Sequence, residues 1–285
     1  MKRRNLLTVV PAASVLLSLR SKGEPVTGDA WTPAGFAIAV QCWSFKQHTL
    51  FEAVELAAAA GAGAIEIFPG QKIGGPLGNE EVDPSRADTQ VSAILDHCGK
   101  HGIQPVNFGV TEIPKNEKKA RVIFGFAKAL GLHGVTTESI EALDTIEKLA
   151  IEHDLKVCFH NHPKPTKLWD PDRIWQAVHD RDERLGLCAD VGHWASSGLD
   201  PVEVVRKVGP RVRSFHLKDR ASIEQWTHDR PFGTGVIDLV AILDEARAHG
   251  FAGNVSIEYE HNWDTNFTEI AQCVGYLRAY SKMRS

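Results

Sequence analysis

Two histidines flank an asparagine at the end of a short apolar run, in the stretch VCFHNHP over residues 157–163. The apolar run predicts a buried β-strand that leads into a turn. His160 and His162 would then lie where this strand ends. Imidazole is an acid–base group at neutral pH and a common metal ligand. These histidines are therefore either loop residues in contact with water or ligands of something held at this edge.

Polar and ionisable side chains end most of the other predicted strands as well. The strands are predicted over residues 36–43, 64–68, 105–110, 134–138, 156–160, 185–190, 212–219 and 254–260. Their ends carry, in chain order, Trp43, Glu66, Asn107, Glu138, His160 with His162, Asp190 with His193, His216 with Lys218, and Glu258 with Glu260. Chance does not readily place so many ionisable groups at the ends of apolar runs, which indicates that they share one site.

Helical patterns separate the strands, over residues 50–60, 86–101, 117–130, 139–153, 171–179, 201–208, 238–249 and 267–283. Eight strands that alternate with eight helices predict an α/β fold, a single (β/α)8 TIM barrel over residues 31–285. An open doubly wound sheet is disfavoured, because no glycine-rich turn follows the first strand. In a TIM barrel the C-terminal strand ends form the active site, so the polar residues would meet at one rim.

Such a rim would bury several carboxylates side by side, which is costly unless a cation compensates their charge. One divalent metal ion would do so. A mixed set of carboxylates and imidazoles suits manganese, cobalt, zinc or iron, and it suits calcium poorly because calcium prefers oxygen ligands. We favour manganese or zinc.

Five segments carry a resemblance to a known family: FHNHP, DVGHW, HLKD, GTGVID and SIEYE. Together and in this order, they resemble the xylose-isomerase-like superfamily of TIM barrels. This superfamily contains sugar phosphate isomerases and epimerases, inosose dehydratase and the apurinic endonuclease branch. The similarity extends over nearly the whole chain from residue 36.

The resemblance implies a metal site of four side chains from the later strands. Asp190, His216 and Glu258 match three of them. The first ligand is either Glu138, which we favour, or His160, which could also be a fifth ligand. The resemblance further implies substrate contacts, which we assign to Glu66, Asn107, His162, His193, Lys218 and Glu260. For Lys218 the alternative is an ion pair with Asp219 or Glu260.

Such a metal would chelate a carbonyl and its neighbouring hydroxyl, and a nearby base could then remove the proton between them to give an enediolate. The catalytic candidates are Glu138, His160 and Glu258. Return of the proton gives a sugar isomerase or epimerase, which is our main expectation. Loss of a β-hydroxyl gives a hydratase, dehydratase or lyase on 3-keto-sugars or cyclitols. A barrel that binds sugar without turnover is the third possibility.

Nucleic acid is not an expected partner, because the net charge is −4 and phosphate-backbone binding calls for basic surfaces. In addition, Pro231 replaces the histidine that the endonuclease branch would need in HDRPFGTG. A small carbohydrate is expected instead. The apolar stripe of residues 267–283 predicts packing on the barrel, or alternatively a homodimer face.

Residues 1–30 predict an export signal and linker, because three basic residues at positions 2–4 precede an apolar run that is too short to span a bilayer. Arg3 and Arg4 are typical of the twin-arginine route, which would place the mature protein in the periplasm or outside the cell. No stable membrane span is then expected after signal removal. The alternative is an amphipathic N-terminal helix and a cytoplasmic protein.

Overall fold

The computed structural model describes residues 30–223 and 226–284, and it confirms the predicted TIM barrel. Eight parallel strands close on themselves: β1 Ala37–Gln41, β2 Ala64–Ile67, β3 Gln104–Thr111, β4 Gly134–Thr137, β5 Lys156–His160, β6 Leu185–Asp190, β7 Val212–Leu217 and β10 Asn254–Ile257. Two short strands, β8 Asp219–Arg220 and β9 Asp229–Arg230, form a separate antiparallel hairpin. The predicted export segment, residues 1–30, lies outside the described residues except for residue 30.

Helices connect consecutive barrel strands on the outside. They are α1 Leu50–Ala59, α2 Ala87–Lys100, α3 Glu117–Ala129, α4 Leu143–His153, α5 Pro171–Val178, α6 Val191–Ser196, α7 Pro201–Val208, α8 Leu239–Ala248 and α9 Phe267–Met283. Local signals explain where several begin: Thr49 and Glu52 form a capping box at α1, and Asp200 caps α7 ahead of a proline. Within the described ranges, none of these helices has the length and apolarity needed to cross a membrane.

Several sequence-based assignments differ from the structure. The predicted strand 212–219 is two elements, because β7 ends at Leu217 and Asp219 turns away into the hairpin. Helix α4 begins later than predicted, since a 3₁₀ turn occupies Ile140–Ala142. The short helix α6 is not predicted by the pattern; it forms because the Asp190 carboxylate accepts a hydrogen bond from the backbone N–H of His193 and so caps it.

The barrel strands alternate between two environments. In β6, the side chains of Leu185, Leu187 and Ala189 belong to the large apolar cluster between sheet and helices. The alternate residues of the strand point to the barrel interior, and Asp190 is one of these. The apolar side of α9 packs on β1 and β10, as the stripe predicts. The homodimer alternative stays a prediction.

Candidate metal centre

Four buried side chains from neighbouring strands converge at the C-terminal mouth of the barrel: His160, Asp190, His216 and Glu258. One potential ligand atom of each lies within 4.8 Å of the others. They come from β5, β6, β7 and the residue after β10, which are consecutive around the barrel. The barrel register therefore brings together residues that are far apart in the chain, because Asp190 pairs with His216 across β6 and β7.

The donor atoms of this group fit a divalent cation. His160 Nε2, Asp190 Oδ2 and both ring nitrogens of His216 are buried and make no hydrogen bond of good geometry among the described residues, although each lies within ion-pair distance of a neighbouring ionisable group. His160 Nε2 lies 3.5 Å from Asp190 Oδ2, and His216 Nδ1 lies 3.1 Å from Glu258 Oε2. Two ligands of a tetrahedral zinc ion at about 2.1 Å are ~3.4 Å apart. A metal ion would satisfy buried ligand atoms that stand at this spacing without well-formed hydrogen bonds.

Glu138 is not one of these four residues; it lies behind His160. Its carboxylate oxygen is 3.1 Å from His160 Nδ1, and it also contacts Nδ1 of His162. Burial raises the pKa of Glu138, but hydrogen bonds from the two imidazoles outweigh burial and lower the pKa to about 2. A carboxylate behind a metal-facing imidazole fixes the ring's orientation and tautomer. In the structure, His160 faces the other three donors and Glu138 contacts His160 from behind, whereas the sequence left the two residues as alternative ligands, with Glu138 favoured.

Two residues that we expected at the substrate lie deeper in the barrel. Glu66 is fully buried, and its carboxylate accepts hydrogen bonds from Thr136 at 2.8 Å and Ser256 at 2.6 Å. Asn107 is also fully buried, and its amide donates to the Thr136 hydroxyl. Both side chains belong to a group of polar residues inside the barrel, and the Glu66 carboxylate contacts the His216 ring from the interior side.

Asp190 and His193 are held by a local network. The Asn161 side chain accepts from the backbone N–H of Asp190 and donates to its carbonyl oxygen, each at 3.0 Å. His193 Nε2 lies 3.3 Å from Asp190 Oδ2. The asparagine between the two histidines of FHNHP therefore positions the next strand's aspartate, which explains why it stands there.

Lys218 is fully buried in the midst of three carboxylates. Its ammonium lies 3.0 Å from Asp190, 2.8 Å from Glu258 and 2.6 Å from Glu260. Burial lowers the pKa of Lys218, but these carboxylates raise it well above the usual range, so the group is a cation. The ion pair with Glu260 matches one of the predicted alternatives, and Asp219 points elsewhere.

Asp219 organises the loop that carries the GTGVID segment. Its carboxylate accepts hydrogen bonds from the backbone N–H groups of Gly233, Gly235 and Ile237. A Cβ atom on Gly235 would lie only 2.1 Å from the Asp219 carboxylate. HLKD and GTGVID are therefore two halves of one loop structure beside the site.

Arg220 is a residue of the site that the sequence reading missed. It is fully buried, its guanidinium lies 2.9 Å from the Asp229 carboxylate, and one nitrogen lies 3.4 Å from His193 Nδ1. Trp226, 58% exposed, covers the guanidinium at 4.5 Å and stacks against His193. The position two residues after Lys218 was the available signal, since an arginine next to a buried strand end needs a partner.

Residues 54–280 match the family described as xylose isomerase-like TIM barrel, and the chain belongs to this family. It is similar to inosose dehydratase of Geobacillus thermodenitrificans, with 26% identity over 139 residues, which are 43% of this chain and 46% of that protein. The chain thus spans about half the length of the curated relatives it matches.

Solved structures share the fold. An uncharacterised protein from Parabacteroides distasonis is 29% identical, with a TM-score of 0.70, and the match covers 88% of this chain and 99% of that one. A zinc-bound structure of the IOLI protein is 16% identical, with a TM-score of 0.67 and coverage of 87% and 99%. At that identity the second likeness shows the fold alone.

Proposed function

We propose that this protein is a divalent-metal-dependent enzyme that removes the proton next to the carbonyl of a keto-sugar or keto-cyclitol and then expels a neighbouring hydroxyl. The observation that carries the proposal is the convergence of four buried donors, several of them without a well-formed hydrogen bond, beside a solvent-accessible imidazole–carboxylate pair. The four donors would bind a metal ion that acts as a Lewis acid, and the imidazole–carboxylate pair would act as the base.

His160, Asp190, His216 and Glu258 would hold the metal. The IOLI protein, which has this fold, binds a zinc atom, and the mixed donor set of this chain keeps zinc and manganese as the favoured ions. When bound, the ion would polarise a carbonyl oxygen of the substrate and so acidify the adjacent C–H bond.

His162 is the base that the geometry favours. Its side chain is 44% exposed, and its Nδ1 contacts Glu138, so Nε2 is the ring nitrogen that would face a substrate. The Glu138 carboxylate would orient the ring and stabilise the imidazolium that forms when Nε2 takes the proton. His160 is less suitable, because one ring nitrogen faces Glu138 and the other faces Asp190.

Lys218 and His193 would act on the substrate oxygens, whereas His162 would act on the C–H bond. The Lys218 ammonium lies among the carboxylates of Asp190, Glu258 and Glu260, which occupy its three N–H groups. Asp190 and Glu258 would turn to the metal when it binds, and the N–H groups freed in this way could donate to a developing oxyanion or a departing hydroxyl. His193 lies against the same aspartate. Expulsion of the hydroxyl as water takes one proton, which Lys218 would donate, while His193 would contact a substrate hydroxyl.

The curated relatives support elimination over isomerisation, since they are inosose dehydratases. One observation favours a sugar isomerase or epimerase as the second candidate. Glu138 follows β4 and Glu258 follows β10, and these strands lie on opposite sides of the closed barrel. Epimerisation needs proton carriers on both faces of the reacting carbon, and two opposed carboxylates would provide them.

The location of the protein in the cell bears on the class of sugar that it meets. We propose that residues 1–30 export the chain, which favours free sugars over phosphorylated ones. Fractionation of the source cells with an antibody tests this. Recovery of a shortened chain outside the cytoplasm is the expected result, and a full-length cytoplasmic chain would contradict it.

The deciding experiment combines metal analysis with proton exchange. We expect about one transition metal ion in the barrel site per chain, lost in both Asp190→Asn and His216→Ala, while His179→Ala on the outer surface keeps it.

The loaded protein is then incubated with inosose, 3-keto-glucose and simple ketoses in heavy water. Loss of water from the substrate supports the elimination, and deuterium in an isomer supports the second candidate. Metal content that neither variant changes, or a bound sugar that neither reacts nor exchanges, would contradict the proposal and favour a binding protein.

A further inference from the structure

A second group of metal-ligating side chains lies on the outer surface of the barrel. Glu55 projects from α1, His97 projects from the last turn of α2, and His101 is the residue that directly follows α2. The two histidines are four residues apart, so they occupy the same face of their helix. The three side chains offer one ligand atom each within 4.8 Å of one another. None of them contributes to the metal centre at the strand ends.

We propose that Glu55, His97 and His101 form a second divalent-cation site, which takes zinc or a similar imidazole-binding transition metal and joins α1 to α2. Two imidazoles and one carboxylate are ligands that zinc and similar transition metals prefer in proteins. Magnesium and calcium are poor candidates, because they prefer oxygen ligands.

The spacing of the donor atoms matches such an ion. Oε1 of Glu55 lies 3.5 Å from Nε2 of His97 and 3.9 Å from Nε2 of His101. Ligands of a tetrahedral ion with bonds of about 2.1 Å are ~3.4 Å apart. Both imidazole nitrogens thus approach one carboxylate oxygen at nearly the separation that a shared ion would require, with little rearrangement of either helix.

His97 is held in place before any ion arrives. Its ring stacks on Phe51 with centroids 3.9 Å apart and planes 6° apart, and its Nε2 lies 3.1 Å from the Phe51 carbonyl oxygen. Burial of the ring lowers the pKa of His97, which favours the neutral imidazole that a metal needs. Nε2 donates its proton to this carbonyl in the metal-free protein, so an ion that binds at Nε2 would require the tautomer with the proton on Nδ1, and the carbonyl oxygen could then contact the ion. A fixed ring loses less conformational entropy on binding than a free one.

The surroundings suit a small hydrated cation. A cavity of about 470 Å³ adjoins the group, and its walls include the acidic side chains Glu52 and Asp96 as well as the cationic Lys100. Glu55 and His101 are exposed, so an ion can enter from solvent and water can complete its coordination. Surface histidines with a carboxylate can also form an ordinary ion pair, and the experiment must separate that case from a metal site.

An ion here would stabilise the pairing of α1 and α2. Helix α1 also anchors the loop that follows β2, because the backbone N–H groups of Leu50 and Phe51 donate to the carbonyls of Lys72 and Ile73. A ligand that binds only the folded chain raises its stability in proportion to the logarithm of its concentration. We therefore expect zinc to raise the melting temperature through this site, independently of catalysis.

The test uses the full chain in a background without the inner site, Asp190→Asn with His216→Ala. Zinc is added to the metal-free protein, and bound zinc and melting temperature are measured. We expect about one ion per chain and a higher melting temperature with zinc. Addition of His101→Ala or Glu55→Gln should weaken zinc binding more than ~10-fold and remove the thermal shift, while His179→Ala should change neither.

Zinc binding and a thermal shift that survive both His101→Ala and Glu55→Gln would overturn the proposal, and so would a background protein that binds no zinc. Circular dichroism of each variant shows that it is folded before binding is measured. Because the background lacks two of the four inner ligands, and His101 and Glu55 lie outside the inner site, the result does not depend on the proposed enzymatic function.

Discussion

Glu66 Oε1 lies 3.1 Å from Nε2 of His216, while Nδ1 of the same ring lies 3.1 Å from Glu258. His216 is thus held between a carboxylate inside the barrel and one at its mouth. The Glu66 carboxylate is itself fixed by the hydroxyls of Thr136 and Ser256. In the proposed metal centre, Glu66 would therefore be a positioning residue that acts through the His216 imidazole from inside the barrel.

Glu66→Gln should therefore weaken metal binding without unfolding the protein. Outer carboxylates that orient a metal-binding histidine typically contribute ~10–100-fold in affinity, and we expect a loss in that range. Competition with a chelator of known affinity measures it. Glu203→Gln, on the exposed outer surface, is the matched control, and equal metal affinity in the two variants would contradict the role assigned to Glu66.

His162→Gln should separate metal binding from proton removal. The side chain is not one of the four converging donors, so we expect the metal content to stay the same. Loss of a general base typically lowers the rate by ~10²–10⁴-fold, which proton exchange in heavy water would report. If exchange persists at the parent rate, Glu258 becomes the better candidate for the base.

Asn161→Ala should destabilise the fold by about 2–3 kcal/mol, because two buried backbone groups of Asp190 lose their partner. Denaturant unfolding measures the loss in free energy. For comparison, Asn116→Ala removes an exposed helix cap and should cost about 1 kcal/mol. A smaller loss at Asn161 than at Asn116 would show that Asp190 does not depend on this clamp.

His133 should make the protein sensitive to mild acid. Burial, together with nearby Lys156 and Arg213, lowers its pKa to about 4, below the value of about 6.5 expected in the unfolded chain. The unfolded chain then takes up a proton first as pH falls. The stability due to neutral His133 is therefore complete above about pH 6.5 and is lost as pH falls towards 4.

We expect this contribution to be on the order of 1–3 kcal/mol, given the partial exposure of the ring. The measurement is the free energy of unfolding at about pH 7.5 and about pH 5, for the parent and for His133→Gln. The difference between the two pH values should be smaller in the variant. The same difference in both proteins would mean that His133 is protonated alike in the folded and unfolded states.

The barrel is predictable from the sequence because its signals are local. Apolar runs of strand length, helical periodicities and capping residues such as Asp200 each act within a few neighbours. The order of the elements then leaves few topologies, since parallel crossovers are right-handed. The same reasoning explains why four candidates could be named, since each lies at or near the C-terminal end of a predicted strand: His160, Asp190, His216 and Glu258.

Only the tertiary structure decides how these candidates divide the work. Whether His160 or Glu138 faces the other donors depends on side-chain direction at adjacent strand ends, which no local pattern encodes. The depth of Glu66 depends on barrel register, and a shift of one residue would turn it to the other face. Arg220 enters the site because a hairpin folds back over His193. Direction, depth and long-range closure are properties of the packed barrel, so the sequence determines which residues are present and the fold determines what each one contacts.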